Sequence, residues 1–218
     1  MADQKRTELA AAKTQELPAM RSAPLPDVAR PETTPTAHED DEEFRREQDR
    51  FKKMIESDAP LNQILASLVL LIEAQSPEML CSILLLSHDG NHVKHAVAPS
   101  LPENYIKAID GAPIGPKHGS CGTAMYRGEP VIVSDISSDP LWDEYRNFAW
   151  AIDVAACWST PIMSSRGKVL GSFAMYYRVP RGPTGKERHL TDVATKLAAE
   201  AIEYRAKRER AASGETTA

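Results

Sequence analysis

The spacing of apolar residues predicts helices at both ends of a strand-rich middle. Residues 42–59 form an otherwise charged helix with a narrow apolar stripe, 61–72 form a strongly amphipathic helix, and 186–211 form a long helix with one apolar face. The stripe of the first helix is made by Phe44, Phe51, Met54 and Ile55. Because apolar stripes need apolar neighbours, we expect all three helices to be covered by other parts of the protein.

Short strands separated by turn residues occupy the middle of the chain. The predicted strands are 80–87, 93–98, 130–133, 155–163 and 169–177. The turn residues His88-Asp89-Gly90 and the segment 164–167 join the first two and the last two strands into hairpins. Short helices are expected at 103–109, from Gly119 onward, and at 142–151. The pattern predicts the α+β class, with one antiparallel sheet and helices packed mainly on one face.

The first 41 residues differ in composition from the rest. They contain five of the 16 prolines and almost no aromatic residues, and an acidic run follows at 39–43. Such a segment cannot bury enough apolar area to offset its ordering entropy, so 1–41 is predicted to be a disordered Pro-rich acidic tail. The remaining divisions are an N-terminal linker helix at 42–59, one compact domain at 60–211, and a short disordered tail at 212–218.

Charge and hydropathy narrow the classes of partner. The chain has 26 Lys and Arg against 31 Asp and Glu, so no general excess of cations favours nucleic acid. The basic run 205–210 ends a predicted helix, where cations complement the helix dipole. No apolar run approaches the roughly 18–20 residues that span a bilayer. We therefore expect a cytoplasmic protein with neither nucleic acid nor membrane as a partner.

The three cysteines are predicted to be free thiols. Cys81, Cys121 and Cys157 are far apart in sequence, with no CxxC pair and no zinc-like spacing, so no metal site is expected. Cys81 lies in an apolar run and is predicted to be core. Cys121 lies in the first turn of a short helix, where the helix dipole can lower a thiol pKa, although a small packing role between two glycines is equally compatible.

Five motifs in the second half of the chain carry a resemblance to a known family. They are Gly119–Ala124, Val131–Asp135, Asp139–Trp142, Ala156–Ile162 and Leu170–Tyr177. In this order they closely resemble the GAF domain, and more narrowly the GAF subgroup attached to bacterial sensor histidine kinases and diguanylate cyclases. The similarity spans about residues 61–205. It implies a central antiparallel sheet of five or six strands, with terminal helices on one face and a ligand pocket under loops on the other.

The resemblance also implies a homodimer through the terminal helices and a role in signal transduction. Relatives carry a kinase or cyclase after the GAF domain, whereas this sequence ends at Ala218, so we expect a separate kinase, cyclase or regulator to receive the signal. A second departure concerns Asp153 and Ala155, which stand where the subgroup carries a glycine and an arginine. If that arginine holds an anionic ligand in the relatives, anion binding is in doubt here.

Aromatic and small polar side chains are the candidates for lining the pocket. The predicted ligand-binding residues are Ser120, Cys121, Gly122, Thr123, Trp142, Tyr145, Cys157 and Ser159. Cys157 and Ser159 share one face of their strand, and we favour that face because small polar groups leave room for a ligand. Trp150 and Trp158 add aromatic surface that either lines the pocket or fills the core. His118 is more typical of an exposed loop position.

Two other functions remain open at this stage. Free methionine sulfoxide reductases are GAF proteins with a cysteine in the setting of Cys121, so a thiol enzyme would use Cys121 and Cys157 as its catalytic residues. Cys157, however, lies on the strand itself, not in a loop ahead of it. The other alternative is a dimeric scaffold with a filled pocket. The small-molecule ligand is unidentified, and neither haem nor a bilin is expected, because no Cys-His pair occurs near the pocket.

Overall fold

The computed structural model describes residues 37–214. Residues 1–36 and 215–218, which make up most of the two predicted tails, lie outside the described residues. The helices are α1 (Ala37–Glu56), α2 (Leu61–Glu73), α3 (Glu103–Ile109), α4 (Gly119–Arg127), α5 (Arg146–Trp150) and α6 (Gly185–Ser213). The strands are β1 (Leu80–Leu86), β2 (Val93–Val97), β3 (Val131–Val133), β4 (Ala156–Met163) and β5 (Val169–Tyr177). A single 3-10 turn, Pro140–Trp142, precedes α5.

The five strands form one antiparallel sheet in the order β2-β1-β5-β4-β3. The predicted α+β class with a five-stranded antiparallel sheet is confirmed. β5 lies at the centre and pairs with β1 on one side and β4 on the other. Residues 171–177 of β5 are all buried, because helices cover both faces of the sheet.

Each face of the sheet has its own apolar core. The long helices α1, α2 and α6 cover one face, where Phe173, Met175 and Trp158 belong to the core. The other face is covered by α3, α4, α5 and the 3-10 turn, and its core contains Cys157 and Tyr176. The expectation that helices lie mainly on one face therefore describes the long helices only. We call this second side the loop face.

The largest differences from the predicted helices lie at the start of α1 and in the segment 142–151. α1 begins at Ala37, five residues before the predicted start at 42. The helix predicted at 142–151 is instead the 3-10 turn followed by the short helix α5. Most residues of 142–150 are aromatic, Asp or Asn, which are weak helix formers, so local propensity does not sustain one continuous helix.

The basic end of α6 has a structural role that sequence reasoning missed. Arg205 donates hydrogen bonds to the carbonyl oxygens of Ser57 and Ala59, and Arg208 forms an ion pair with Asp58 at 2.7 Å. These groups belong to the connector between α1 and α2. The two arginines thus attach α6 to that connector. None of the described helices is both long and apolar enough to cross a membrane.

We predict that Gly171→Ala destabilises the protein by roughly 2–3 kcal/mol, because overpacking at a rigid backbone contact is costly. A Cβ atom at Gly171 would lie 2.2 Å from the carbonyl oxygen of Leu84, and the backbone of β1 cannot move away without disturbing the sheet. Urea unfolding measures the difference. Gly185→Ala is the matched control, because its Cβ would meet nothing within 4 Å. An equal effect of the two substitutions would contradict the prediction.

Candidate functional site

The hydroxyl of Ser120 joins three elements at the loop face. It donates a hydrogen bond to the carbonyl oxygen of Cys157 on β4 at 3.0 Å, and it accepts one from the indole N–H of Trp142 at 3.0 Å. Ser120 and Trp142 are both buried. Because a buried hydroxyl and a buried indole N–H each need a partner, this arrangement fixes α4 and the 3-10 turn against the sheet.

The loop before α4 is shaped by residues that pack tightly. The backbone N–H of His118 donates to the Thr123 hydroxyl at 3.1 Å, and the His118 ring Nδ1 lies 3.1 Å from the Tyr145 hydroxyl. A Cβ atom at Gly122 would lie 3.1 Å from the carbonyl oxygen of Pro113. Gly122 is therefore needed for close approach of the two backbones, and the His118–Tyr145 pair bridges the loop and the segment before α5.

These elements enclose a cavity of about 40 Å³. Since one water molecule needs roughly 10–15 Å³ of free volume, the cavity has room for about three water molecules. Its lining is formed by Leu84, Val93, Tyr105, Ile109, Ala112, Pro113, His118, Gly119, Ser120, Cys121, Gly122, Trp142, Tyr145 and Tyr176. None of these residues is Asp, Glu, Lys or Arg. The cavity is therefore small and largely apolar, and its lining contains no carboxylate, ammonium or guanidinium group.

The sulfur of Cys121 lies among polar groups at the floor of this cavity. The hydroxyl of Tyr176 is 3.8 Å from the sulfur. A hydrogen bond from the Cys157 thiol lowers the pKa of Cys121 to about 7, against the effect of burial and with further help from hydroxyls of Ser159, Tyr176 and Ser172. Burial and the neighbouring Cys121 raise the pKa of Cys157. The pair therefore consists of one readily ionised thiol and one that stays protonated.

Two serine hydroxyls beside Cys121 are incompletely satisfied. The hydroxyls of Ser159 and Ser172 are buried and have no well-formed hydrogen bond to any described residue, although both are close enough to the Cys121 sulfur to stabilise its thiolate. In contrast, the Ser82 hydroxyl is 3.0 Å from that of Tyr176. Buried hydroxyls normally have partners, so the orphaned pair marks this floor as a place for an additional acceptor.

Five of the eight predicted ligand-binding residues line the cavity. These are Ser120, Cys121, Gly122, Trp142 and Tyr145. The other three do not line it. The hydroxyl of Thr123 accepts a hydrogen bond from the backbone N–H of His118, while Cys157 and Ser159 lie on the sheet beneath Cys121. Cys157 belongs to the core of the loop face, which is the strand face that the sequence analysis favoured.

The tryptophans do not fill the cavity. Trp142 forms part of its wall, whereas Trp158 points to the opposite face of the sheet and Trp150 is 57% exposed at the surface. Of the two alternatives given for these rings, core filling therefore applies to Trp158, and neither applies to Trp150. The alternation of side chains along β4 sends Trp158 away from its neighbour Cys157.

Sequence reasoning missed several lining residues. Tyr105 on α3 and Tyr176 on β5 pack edge to face, with ring centroids 6.2 Å apart. Strand alternation combined with the pairing of Cys157 and Tyr176 could have found Tyr176. No local signal identifies Tyr105 or His118, because their positions depend on how α3 and the loop before α4 fold over the sheet.

The two departures from the subgroup pattern lie outside this cavity. Asp153 has a φ of 57°, in the left-handed region that glycine adopts without strain. Ala155 lines a separate outer hollow of about 180 Å³ together with Trp150 and Asp135. An arginine in place of Ala155 would therefore serve the outer hollow, so its absence says little about the central cavity. Asp135 accepts hydrogen bonds from the backbone N–H and the hydroxyl of Ser137, which stabilise the turn after β3.

Within residues 37–214, no three His, Cys, Asp or Glu side chains are grouped so that they could hold a metal ion. The donor groups near the cavity are instead hydroxyls, thiols and one imidazole. Their chemistry suits hydrogen bonding to a small molecule and reactions at sulfur.

The comparisons with known proteins agree on the family. The family model described as "GAF domain" matches residues 58–203, so the chain belongs to the GAF family. A curated relative, the methyl sulfide methyltransferase-associated sensor of Methanosarcina acetivorans, is 37% identical over 169 residues. The match covers 78% of this chain but only 17% of the relative, so this chain spans about a sixth of that protein's length.

Solved structures share the fold at low sequence identity. A domain of a two-component sensor histidine kinase protein from Sinorhizobium meliloti 1021 is 22% identical, with a TM-score of 0.56, over 71% of this chain and 98% of that domain. Free methionine-R-sulfoxide reductase from Neisseria meningitidis is 15% identical, with a TM-score of 0.56, over 76% of this chain and 91% of the enzyme. The fold is thus common to sensors and to an enzyme and does not separate them.

We predict that Cys121 ionises with a midpoint near pH 7, because neighbouring donors stabilise its thiolate. Its rate of alkylation by iodoacetamide should rise through that pH and vanish in Cys121→Ser, while burial keeps Cys81 slow. The pKa of Cys121 in the folded protein lies below the ordinary thiol value of about 8.5, so ionisation of Cys121 stabilises the folded state fully above about pH 8.5. This stabilisation is lost as the pH falls through 7. An alkylation midpoint at the ordinary thiol pKa of about 8.5 would contradict the prediction.

Proposed function

We propose that this protein is a small-molecule-sensing GAF module that acts in signal transduction. The observation that carries the proposal is the cavity under α3, α4 and the 3-10 turn, which has a polar floor and an apolar wall. Pockets of this composition, with few polar groups among apolar ones, are typical of ligand sites. The curated relative is named as a sensor, which supports the same class of function.

The size and charge of the cavity indicate the chemistry of the ligand. With room for about three waters, the site fits a molecule of only a few non-hydrogen atoms unless the loops open. An anion would be buried with no Lys or Arg in the lining, and desolvation of an unpaired charge is costly. We therefore propose an uncharged ligand that accepts a hydrogen bond from the Tyr176 hydroxyl, which lines the cavity.

A thiol enzyme resembling the free methionine sulfoxide reductases is the second candidate. The contact between Cys121 and Cys157 favours it, because a nucleophilic thiol needs a second thiol within reach. Free methionine sulfoxide, however, carries both an ammonium and a carboxylate, and the lining offers neither group a counter-charge. We expect no turnover in an NADPH-coupled assay with thioredoxin. Turnover that disappears in Cys121→Ser would favour the enzyme.

We also propose that the protein dimerises through α1 and α6 and passes its signal to a separate kinase, cyclase or regulator. Among the described side chains of α1, only Phe51 and Ile55 are buried, so most of the described part of this helix is accessible to a second protein. Partly exposed apolar side chains on these helices include Phe44, Val193 and Tyr204. A second copy of the chain would cover them.

We predict that acetamide binds the cavity and that acetate, which has the same shape and a negative charge, does not. Binding to the native state raises the thermal unfolding midpoint, and saturation-transfer NMR detects it directly. Ala112→Leu should abolish binding by filling the cavity, whereas Ala211→Leu, at an exposed position on α6, should not. Equal binding of acetate would refute the uncharged ligand, and no binding by any small probe would favour the ligand-free scaffold.

For the dimer, Phe44→Ser should weaken self-association by roughly tenfold or more, since removing a large apolar contact costs more than about 1.4 kcal/mol. Sedimentation equilibrium measures the dissociation constant. Tyr126→Ser is the matched control, because Tyr126 is 57% exposed but lies on α4 at the loop face. A monomeric wild type would contradict the proposal.

A further inference from the structure

We propose that Cys121 and Cys157 form a peroxide-oxidised thiol pair, in which Cys121 reacts with a small hydroperoxide and Cys157 then closes a disulfide. This site adds a covalent modification to the protein. It goes beyond the proposed function, because it requires no retained ligand and remains testable if no ligand is found.

The position of the two sulfurs carries the inference. Cys121 lies in the first turn of α4, is partly exposed, and lines the cavity, which has room for hydrogen peroxide. Cys157 is fully buried on β4 beneath the start of α4: its carbonyl oxygen accepts the hydrogen bond of Ser120, the residue before Cys121, and it lies opposite Tyr176, whose hydroxyl is 3.8 Å from the Cys121 sulfur. An oxidant therefore reaches Cys121 first. Cys81 belongs to the core on the other face of the sheet, so it cannot replace either partner.

The orphaned hydroxyls are the second, independent observation. Ser159 and Ser172 are 1% and 0% exposed, and their hydroxyls have no well-formed bond within the described chain. By strand alternation both lie on the loop face, Ser159 with Cys157 on β4 and Ser172 with Tyr176 on β5, beneath Cys121. A neutral thiol is a weak acceptor, whereas a thiolate accepts strong hydrogen bonds. The two donors are therefore satisfied best when Cys121 is ionised, and the thiolate is the form that attacks peroxides.

The reaction balances with hydrogen peroxide as the oxidant. The Cys121 thiolate attacks one peroxide oxygen, the O–O bond breaks, and the departing hydroxide takes up the proton that Cys121 released, which gives water and a sulfenic acid. The Cys157 sulfur then attacks the Cys121 sulfur, the S–O bond breaks, and the hydroxyl leaves with the Cys157 proton as a second water. Two thiols are oxidised to one disulfide, and one peroxide is reduced to two waters.

The test treats the reduced full-length protein with limiting hydrogen peroxide, blocks the remaining thiols, and maps peptides by mass spectrometry without reduction. We expect a Cys121–Cys157 peptide that is lighter by two hydrogen atoms. Cys157→Ser should accumulate a sulfenic acid on Cys121 that dimedone traps, and Cys121→Ser should give neither product. Cys81→Ser is the control that reacts like the wild type.

If Ser159 and Ser172 had only a structural role, replacing them would not change the pH dependence of Cys121 oxidation. In the Ser159→Ala, Ser172→Ala double variant, the rate of Cys121 oxidation at pH 7 should fall by roughly tenfold, because the thiolate loses two donors and its pKa rises. Circular dichroism checks that the variant is folded. If it is not, the wild-type peptide map alone decides.

Three outcomes would overturn the proposal. They are a wild type without the Cys121–Cys157 linkage, oxidation of Cys81 as fast as that of Cys121, and an unchanged pH profile in the folded double variant. Each is independent of the acetamide experiment, so failure of ligand binding and failure of oxidation are distinguishable.

Discussion

Burial of β5 on both faces is the constraint on which the rest of the structure depends. From residue 171 to 177 every side chain of this strand is covered, by long helices on one side and by the loop face on the other. Gly171 lets the backbone of β1 approach closely, so the neighbouring strands hold their register. A strand in this position must carry alternating side chains that suit two different environments.

The loop face uses this constraint to build a polar floor in an apolar setting. Ser120 binds α4 to β4, which places the next residue, Cys121, over the hydroxyls of Ser159 and Ser172. Burying polar groups is unfavourable unless they are paired, and a thiolate at Cys121 would give these two hydroxyls an acceptor. The proposed ligand site and the proposed thiol chemistry thus share Cys121 and Tyr176.

Much of the fold could be predicted because its signals are local. The hairpin turns, the apolar stripes and the alternation along β4 gave the strands, the long helices and the shared face of Cys157 and Ser159. The cavity could be predicted only in part. Tyr105 and His118 reach it through the folding of α3 and a loop over the sheet, and the capacity of the cavity depends on packing at ångström scale, which no residue pattern encodes.

Two consecutive residues of β5, Tyr176 and Tyr177, point to opposite faces of the sheet and connect the cavity to the terminal helices. Tyr176 contacts the Cys121 sulfur at the loop face, while the hydroxyl of the next residue, Tyr177, donates to Glu187 in the first turn of α6 at 2.6 Å. Glu187 also pairs with Arg181 at 2.9 Å. Because Tyr176 and Tyr177 are consecutive residues of one strand, we propose that a displacement of Tyr176 by ligand or disulfide is passed to the hydroxyl that holds Glu187 at the start of α6. Since α6 belongs to the proposed dimer interface, a change at one sulfur has a direct physical route to the second subunit.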